Sequence, residues 1–130
     1  MIKNVAAAVV FHDGKVLICR RASGEKLEGF WEFPGGKLEA GESMFDCIER
    51  ELFEELGVKA RGREILAVSF YAYEHSEIRL TGILTELFSD EISLTVHDAF
   101  DWVYPVSLSE YKLAPADIPI AEAVVKYGID

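Results

Sequence analysis

The sequence predicts an α/β fold, a sandwich of strands flanked by two helices. Three observations carry that expectation. Apolar, β-branched runs recur at Asn4–Phe11, Lys15–Arg20, Glu64–Glu74 and Ile78–Phe88. Residues 43–56 instead space their apolar side chains for one face of a helix, and Ile118–Tyr127 forms a closing helix. The 130 residues make one domain over 1–130, large enough to bury a core without disulfide or metal staples.

Taken in order, the first two strands are joined by a turn at His12-Asp13-Gly14, the chemistry of a tight hairpin. Ala22–Gly29 is a polar loop, and Trp31-Glu-Phe is a short strand ended by the Pro34-Gly35-Gly36 break. Ser43 stands at the N-cap of the first helix, with Asp46 three residues on as a shortened capping box. Gly57 sits where that helix should stop in a left-handed C′ conformation. Phe45, Ile48, Leu52 and Leu56 form its apolar stripe. Glu64–Glu74 and Ile78–Phe88 make a hairpin of longer strands, and Phe100–Val106 is a further strand before the last helix.

Beside the stripe lies the densest chemistry in the chain. Glu51, Glu54 and Glu55 fall at i, i+3 and i+4, so helical pitch puts all three carboxylates on one face. Each like-charge pair costs a few tenths of a kcal/mol in an ordinary helix, which a bound cation would offset. Clustered hard oxygen donors suit Mg²⁺, with Mn²⁺ also possible. Arg50 and Glu42 are the remaining charges at fixed places, and their pairing would hold the preceding loop against the helix.

Gly36, five residues, Glu42, seven residues, then Arg50-Glu51-Leu52-x-Glu54-Glu55-x-Gly57-Val58 resembles the Nudix box at every fixed position. Nine positions fixed over twenty-three residues make this a specific pattern. The flanking Trp31-Glu-Phe-Pro-Gly-Gly36 is similar to the MutT-like branch, which includes 8-oxo-dGTP diphosphatases and CTP pyrophosphohydrolases. The resemblance implies the Nudix fold, an α/β/α sandwich with a mixed β-sheet. It also implies Mg²⁺-dependent hydrolysis of nucleoside triphosphates to monophosphate and pyrophosphate, by attack of water on the β-phosphorus. On that reading Glu51, Glu54 and Glu55 hold the metal, the Gly35 carbonyl adds a ligand, and Lys37 and Arg21 meet phosphates. For Arg21 a solvated strand end is the plain alternative.

Relatives place a proton-accepting glutamate where this chain has Val96, which can neither bind metal nor accept a proton. Glu51 or Glu54 is then the first choice of base, with Asp98 and His97 as substitutes. His97 also reads as a loop residue making a local hydrogen bond, and His12 and His75 as turn residues.

Base recognition falls to Leu113-Ala-Pro-Ala-Asp117-Ile-Pro119, similar to the CTP pyrophosphohydrolase members. The prolines restrain the backbone on both sides of Asp117. An ionised Asp117 would accept from a cytosine amino group; a protonated one could donate as well, as an 8-oxoguanine edge requires. Capping of the final helix is the competing role. Phe33 and Trp102 offer stacking faces, against a simple core-packing role for each.

The net charge of −10 excludes a nucleic-acid polymer as partner, because backbone binding needs a positive face. No apolar run has the length of a membrane span. Cys19 and Cys47 show no metal spacing and fit reduced thiols in the cytoplasm. By the resemblance the partner is a small nucleoside triphosphate and the role nucleotide-pool sanitation in DNA repair, with a monomer or homodimer as the assembly. A non-catalytic nucleotide sensor, and a hydrolase of another nucleoside diphosphate derivative, are the alternatives.

Overall fold

A computed structural model describes residues 2–89 and 91–129. Its centre is a mixed four-stranded sheet ordered β5-β1-β7-β6. β1 (Ile2–Val9) runs antiparallel to β5 (Gly35–Lys37) and parallel to β7 (Ser76–Leu87). β6 (Ala60–Tyr73) closes one edge antiparallel to β7. A second sheet surrounds β3 (Lys15–Arg21), with β2 (Phe11–His12) and β4 (Trp31–Glu32) pairing it, as does β8 (His97–Val103).

β1 and β3 are buried on both faces over Ala6–Val9 and Val16–Cys19, and period-two alternation sorts their side chains. Ala6, Ala8, Val10, Leu17 and Cys19 face helix α1 (Met44–Leu56), which inserts Ile48, Leu52 and Leu56 among them. Ala7, Val9, Val16 and Ile18 face helix α2 (Ile118–Ile129), whose Ile120 and Val124 are fully buried. Each such Leu, Ile or Val contributes about 2 kcal/mol of transfer free energy. The result is the α/β/α sandwich with a mixed sheet, as expected. No helix among the described residues is long and apolar enough to cross a membrane.

Several boundaries differ from the sequence reading. The first run divides at Val10 into β1 and β2, and His12 pairs with Lys15 across a two-residue turn. Asp13 and Gly14 both take positive φ there, 51° and 77°, as an Asp-Gly hairpin turn demands. The Pro-Gly-Gly break is followed at once by a strand, β5, because β1 needs an edge partner that can approach closely. A Cβ on Gly35 would lie 1.9 Å from the Ala6 carbonyl oxygen, so only glycine fits. β6 starts four residues before Glu64, where Gly62 passes under Phe45 of α1 and two register shifts disturb the alternation. β8 starts at His97 rather than Phe100.

Candidate active site

Helix α1 is bounded as its sequence dictates. Ser43 Oγ accepts from the Asp46 N–H at 3.0 Å, and Gly57 adopts φ 68° while its N–H bonds to the Phe53 carbonyl. These caps set the phase of the helix and hence the direction of its carboxylates.

Arg50 organises the charges. Its Nε donates to Glu42 Oε2 at 2.5 Å and its Nη2 to Glu42 Oε1 at 3.0 Å, a bidentate fork. Nη2 also donates to the Lys37 carbonyl at 3.1 Å. Nη1 donates to Glu51 at 2.8 Å and to Glu54 at 2.9 Å. The guanidinium holds the Glu42 carboxyl down to about 2. The loop carrying Glu42 is thereby fastened to α1, as the box spacing suggested.

The three helix glutamates differ in setting. Glu54 is exposed, whereas Glu51 is held against β5: a Cβ on Gly36 would come within 2.2 Å of its carboxylate. Burial raises the Glu51 carboxyl, against the opposing pull of Arg50. Glu55 is pushed up to about 8, chiefly by burial and then by the charges of Glu51 and Glu32. Its Oε1 is buried with no hydrogen-bond partner. Among the described residues no three acidic, histidine or cysteine side chains form a ready metal-ligand set. Glu51 and Glu54 share Nη1 of Arg50 instead of turning toward Glu55. Even so, an orphaned buried carboxylate oxygen beside two more repelling carboxylates is a donor set that fits a hard divalent cation.

A cavity of about 510 Å³ is lined by Gly35 and Gly36 of β5, and it is Gly36 that the Glu51 carboxylate of α1 abuts. Its walls include Arg21, Glu32, Phe33, Gly35, Tyr73 and Asp117, with Lys3 and Lys26 at its margin. Arg21 donates to the Lys26 carbonyl at 2.9 Å and to Glu32 at 3.2 Å, and lies 3.7 Å from Glu25. Asp117 lines the same cavity and is buried. Its Oδ2 accepts from the Phe33 N–H at 2.9 Å, so its bond goes across to the β4–β5 connection rather than to helix α2. Burial, reinforced by the nearby Glu32 charge, raises the Asp117 carboxyl well above the usual range. Phe33 itself is 2% exposed and packs in the α2-side core while bordering the cavity.

Two expected contacts are not brought to the cavity. Trp102 pairs with Leu17 in the β3–β8 ladder, packs on the α1-side core and lines a separate hollow near His12 and Phe88. The Lys37 side chain is exposed at the end of β5 and does not line the cavity; its carbonyl serves Arg50. His97 is not a loop residue with a local bond: it begins β8, its side chain is wholly buried, and Nε2 lies 2.9 Å from Glu32. Glu32, Tyr73 and Lys26 went unread in the sequence. Only Glu32, a carboxylate between two aromatics, carried any local signal.

A NUDIX domain model matches residues 2–124. The chain belongs to the Nudix family. It is 38% identical over 120 residues to the CTP pyrophosphohydrolase of Escherichia coli, covering 92% of this chain and 89% of that one. It is 32% identical over 91 residues to an 8-oxo-dGTP diphosphatase of Proteus vulgaris, covering 69% and 81%. The crystal structure of the MutT NUDIX hydrolase from Burkholderia pseudomallei superposes with a TM-score of 0.84 at 25% identity, covering 95% and 98%. The protein is accordingly a Nudix hydrolase, an enzyme of phosphoric anhydride bonds. Divalent metal ions are the general cofactors of Nudix hydrolases, in keeping with the donor set on α1.

Proposed function

We propose that this Nudix hydrolase converts nucleoside triphosphates, cytidine-type or 8-oxo-purine, to monophosphate and pyrophosphate with Mg²⁺, or with Mn²⁺ in its place. The observation that carries the reading is that Gly36, against which the Glu51 carboxylate packs, lines the same cavity as the buried Asp117. The relatives named for CTP and 8-oxo-dGTP support the same substrates.

Glu51, Glu54 and Glu55, with the Gly35 carbonyl, would hold the metal, which when bound neutralises polyphosphate charge and acidifies water. The chain's own residues do the rest. Arg50 keeps the Glu42 loop and α1 in register, so Glu51 stays against Gly36. Arg21, which is also paired with Glu32 and Glu25, and Lys3 and Lys26 line the cavity and would meet the phosphates of a polyanion. Lys37, outside that lining, meets phosphate only beyond the cavity. The water oxygen bonds to the β-phosphorus as the bond from that phosphorus to the α-bridging oxygen breaks. The water's proton passes to Glu51 or Glu54. Asp98 is instead tied to Arg20 at 2.7 Å, and His97 faces Glu32.

In the same cavity, a neutral Asp117 both donates and accepts. That suits an edge with a donor and an acceptor side by side, as on cytosine or 8-oxoguanine. The two free, buried cysteines accord with a cytoplasmic protein that guards the nucleotide pool.

Phosphorus NMR of CTP and of 8-oxo-dGTP with protein and Mg²⁺ tests the reading. Pyrophosphate and monophosphate should appear together, and Glu54→Gln should slow them by about 100-fold or more. Orthophosphate as the first product overturns the assigned bond cleavage. Asp117→Ala should reduce kcat/KM for the preferred base by about tenfold or more, and an unchanged substrate ranking would remove Asp117 from base recognition.

A further inference from the structure

Tyr73 ends β6 beside the hairpin tip Glu74-His75 and borders the same cavity as Asp117. Its ring packs on the α2-side core, which fixes where the hydroxyl sits. The Tyr73 oxygen accepts a hydrogen bond from the Ala116 N–H at 3.1 Å. Ala116 immediately precedes Asp117 in the 3₁₀ turn Pro115–Asp117, so one backbone bond ties the hairpin to the turn that carries the carboxyl. The hydroxyl thus spends an acceptor site on the backbone, while its proton has no acceptor among the described residues. A half-buried O–H with an uncommitted proton beside a cavity is placed to donate to an acceptor on whatever the cavity binds.

Resting on the proposed triphosphate reading, we propose that Tyr73 is a specificity-determining residue whose hydroxyl donates to a ring carbonyl of the nucleobase. Cytosine O2, guanine O6 and the 8-oxo group all supply such an oxygen, whereas adenine has none. Asp117 reads the donor–acceptor edge, and Tyr73 admits the bases that also offer a carbonyl. The pair disfavours adenine by denying the phenol proton a base acceptor rather than by a clash.

The test uses Tyr73→Phe, which keeps the ring and its packing. Two ratios are measured in the wild type and the variant. One is kcat/KM for the better of CTP and 8-oxo-dGTP over that for ATP. The other is the Kd of the matching nucleoside monophosphate against that of AMP, by calorimetry. The substitution should narrow both ratios by about tenfold, with the loss falling on the carbonyl-bearing member. An equal loss on both nucleotides marks Tyr73 as merely structural and overturns the proposal, as does an unchanged ratio. Should the wild type turn over no triphosphate yet bind the carbonyl-bearing monophosphate in preference to AMP, with Tyr73→Phe erasing that preference, the triphosphatase reading fails and the role of Tyr73 stands. A wild type that neither turns over a triphosphate nor binds either monophosphate overturns both.

Discussion

Gly35 and Gly36 are neighbours, yet each is glycine for a different reason. A methyl group on Gly35 would meet the Ala6 carbonyl at 1.9 Å, a backbone atom held in the β1–β5 ladder. The same group on Gly36 would meet the Glu51 carboxylate at 2.2 Å, the far end of a side chain that can swing away. Gly35→Ala should therefore cost stability, about 2 kcal/mol or more, and lower Tm by roughly 4 °C for each kcal/mol. Gly36→Ala should melt close to wild type while kcat falls by about 100-fold, because Glu51 is displaced from its place against Gly36. Melting curves set against kcat for the two variants check the pair, and matching profiles would deny the division. Arg50 invites a similar comparison. Lysine cannot reproduce the fork on Glu42 together with the bonds to Glu51 and Glu54. Arg50→Lys should lower kcat/KM by about 10-fold to 100-fold and raise the Glu42 carboxyl from about 2 toward its ordinary range, readable by carboxyl-carbon NMR titration.

Helix α1 was legible because every local signal agrees: N-cap, apolar stripe, left-handed terminator and charged box all fall in one phase. Ser43→Ala should cost about 1 kcal/mol, seen in denaturant melts, since the Asp46 N–H loses its acceptor at the exposed start of the helix. The strands were less legible where tertiary demands override local chemistry. Pro-Gly-Gly reads as a breaker, and β5 exists because Ala6 and Ala7 of β1 pair with an edge partner, Gly36 and Gly35, that has no Cβ. β8 hides its start in His97 and Asp98, poor strand formers that are held there by Glu32 and Arg20. The site divides in the same way. The box glutamates, Arg50 and Glu42 sit within one helix and its loop, so spacing alone assembled them. Glu32, Tyr73 and Asp117 come from β4, β6 and a 3₁₀ turn, and only sheet topology brings them to one cavity. Trp102 was misplaced because a strand residue's face depends on register, and pairing with Leu17 turns it toward α1.

At the scale of the whole molecule, stability should depend on pH through carboxyls that folding disfavours as anions. Glu55 rises from 4.5 to about 8, and Glu51 and Asp117 shift upward as well. Between those limits the folded state keeps a proton that the unfolded chain releases, so stability falls as pH climbs from 4.5 through about 8. Glu42 acts in the opposite sense: its contribution is present above 4.5 and is lost as pH falls through about 2. A divalent cation favours the ionised carboxylates and so relieves the alkaline loss. Thermal melts with EDTA and with Mg²⁺ should differ more at about pH 9 than at about pH 6. The net charge of −10 also weakens the fold as pH rises, through general repulsion that any added cation screens. Glu55→Gln separates the two effects. It removes one orphaned carboxylate and leaves the rest of the charge in place, so the gap between EDTA and Mg²⁺ at alkaline pH should shrink markedly in the variant. If the gap persists unchanged, the cation is stabilising the protein through its overall charge, and Glu55 is not among the groups that hold it.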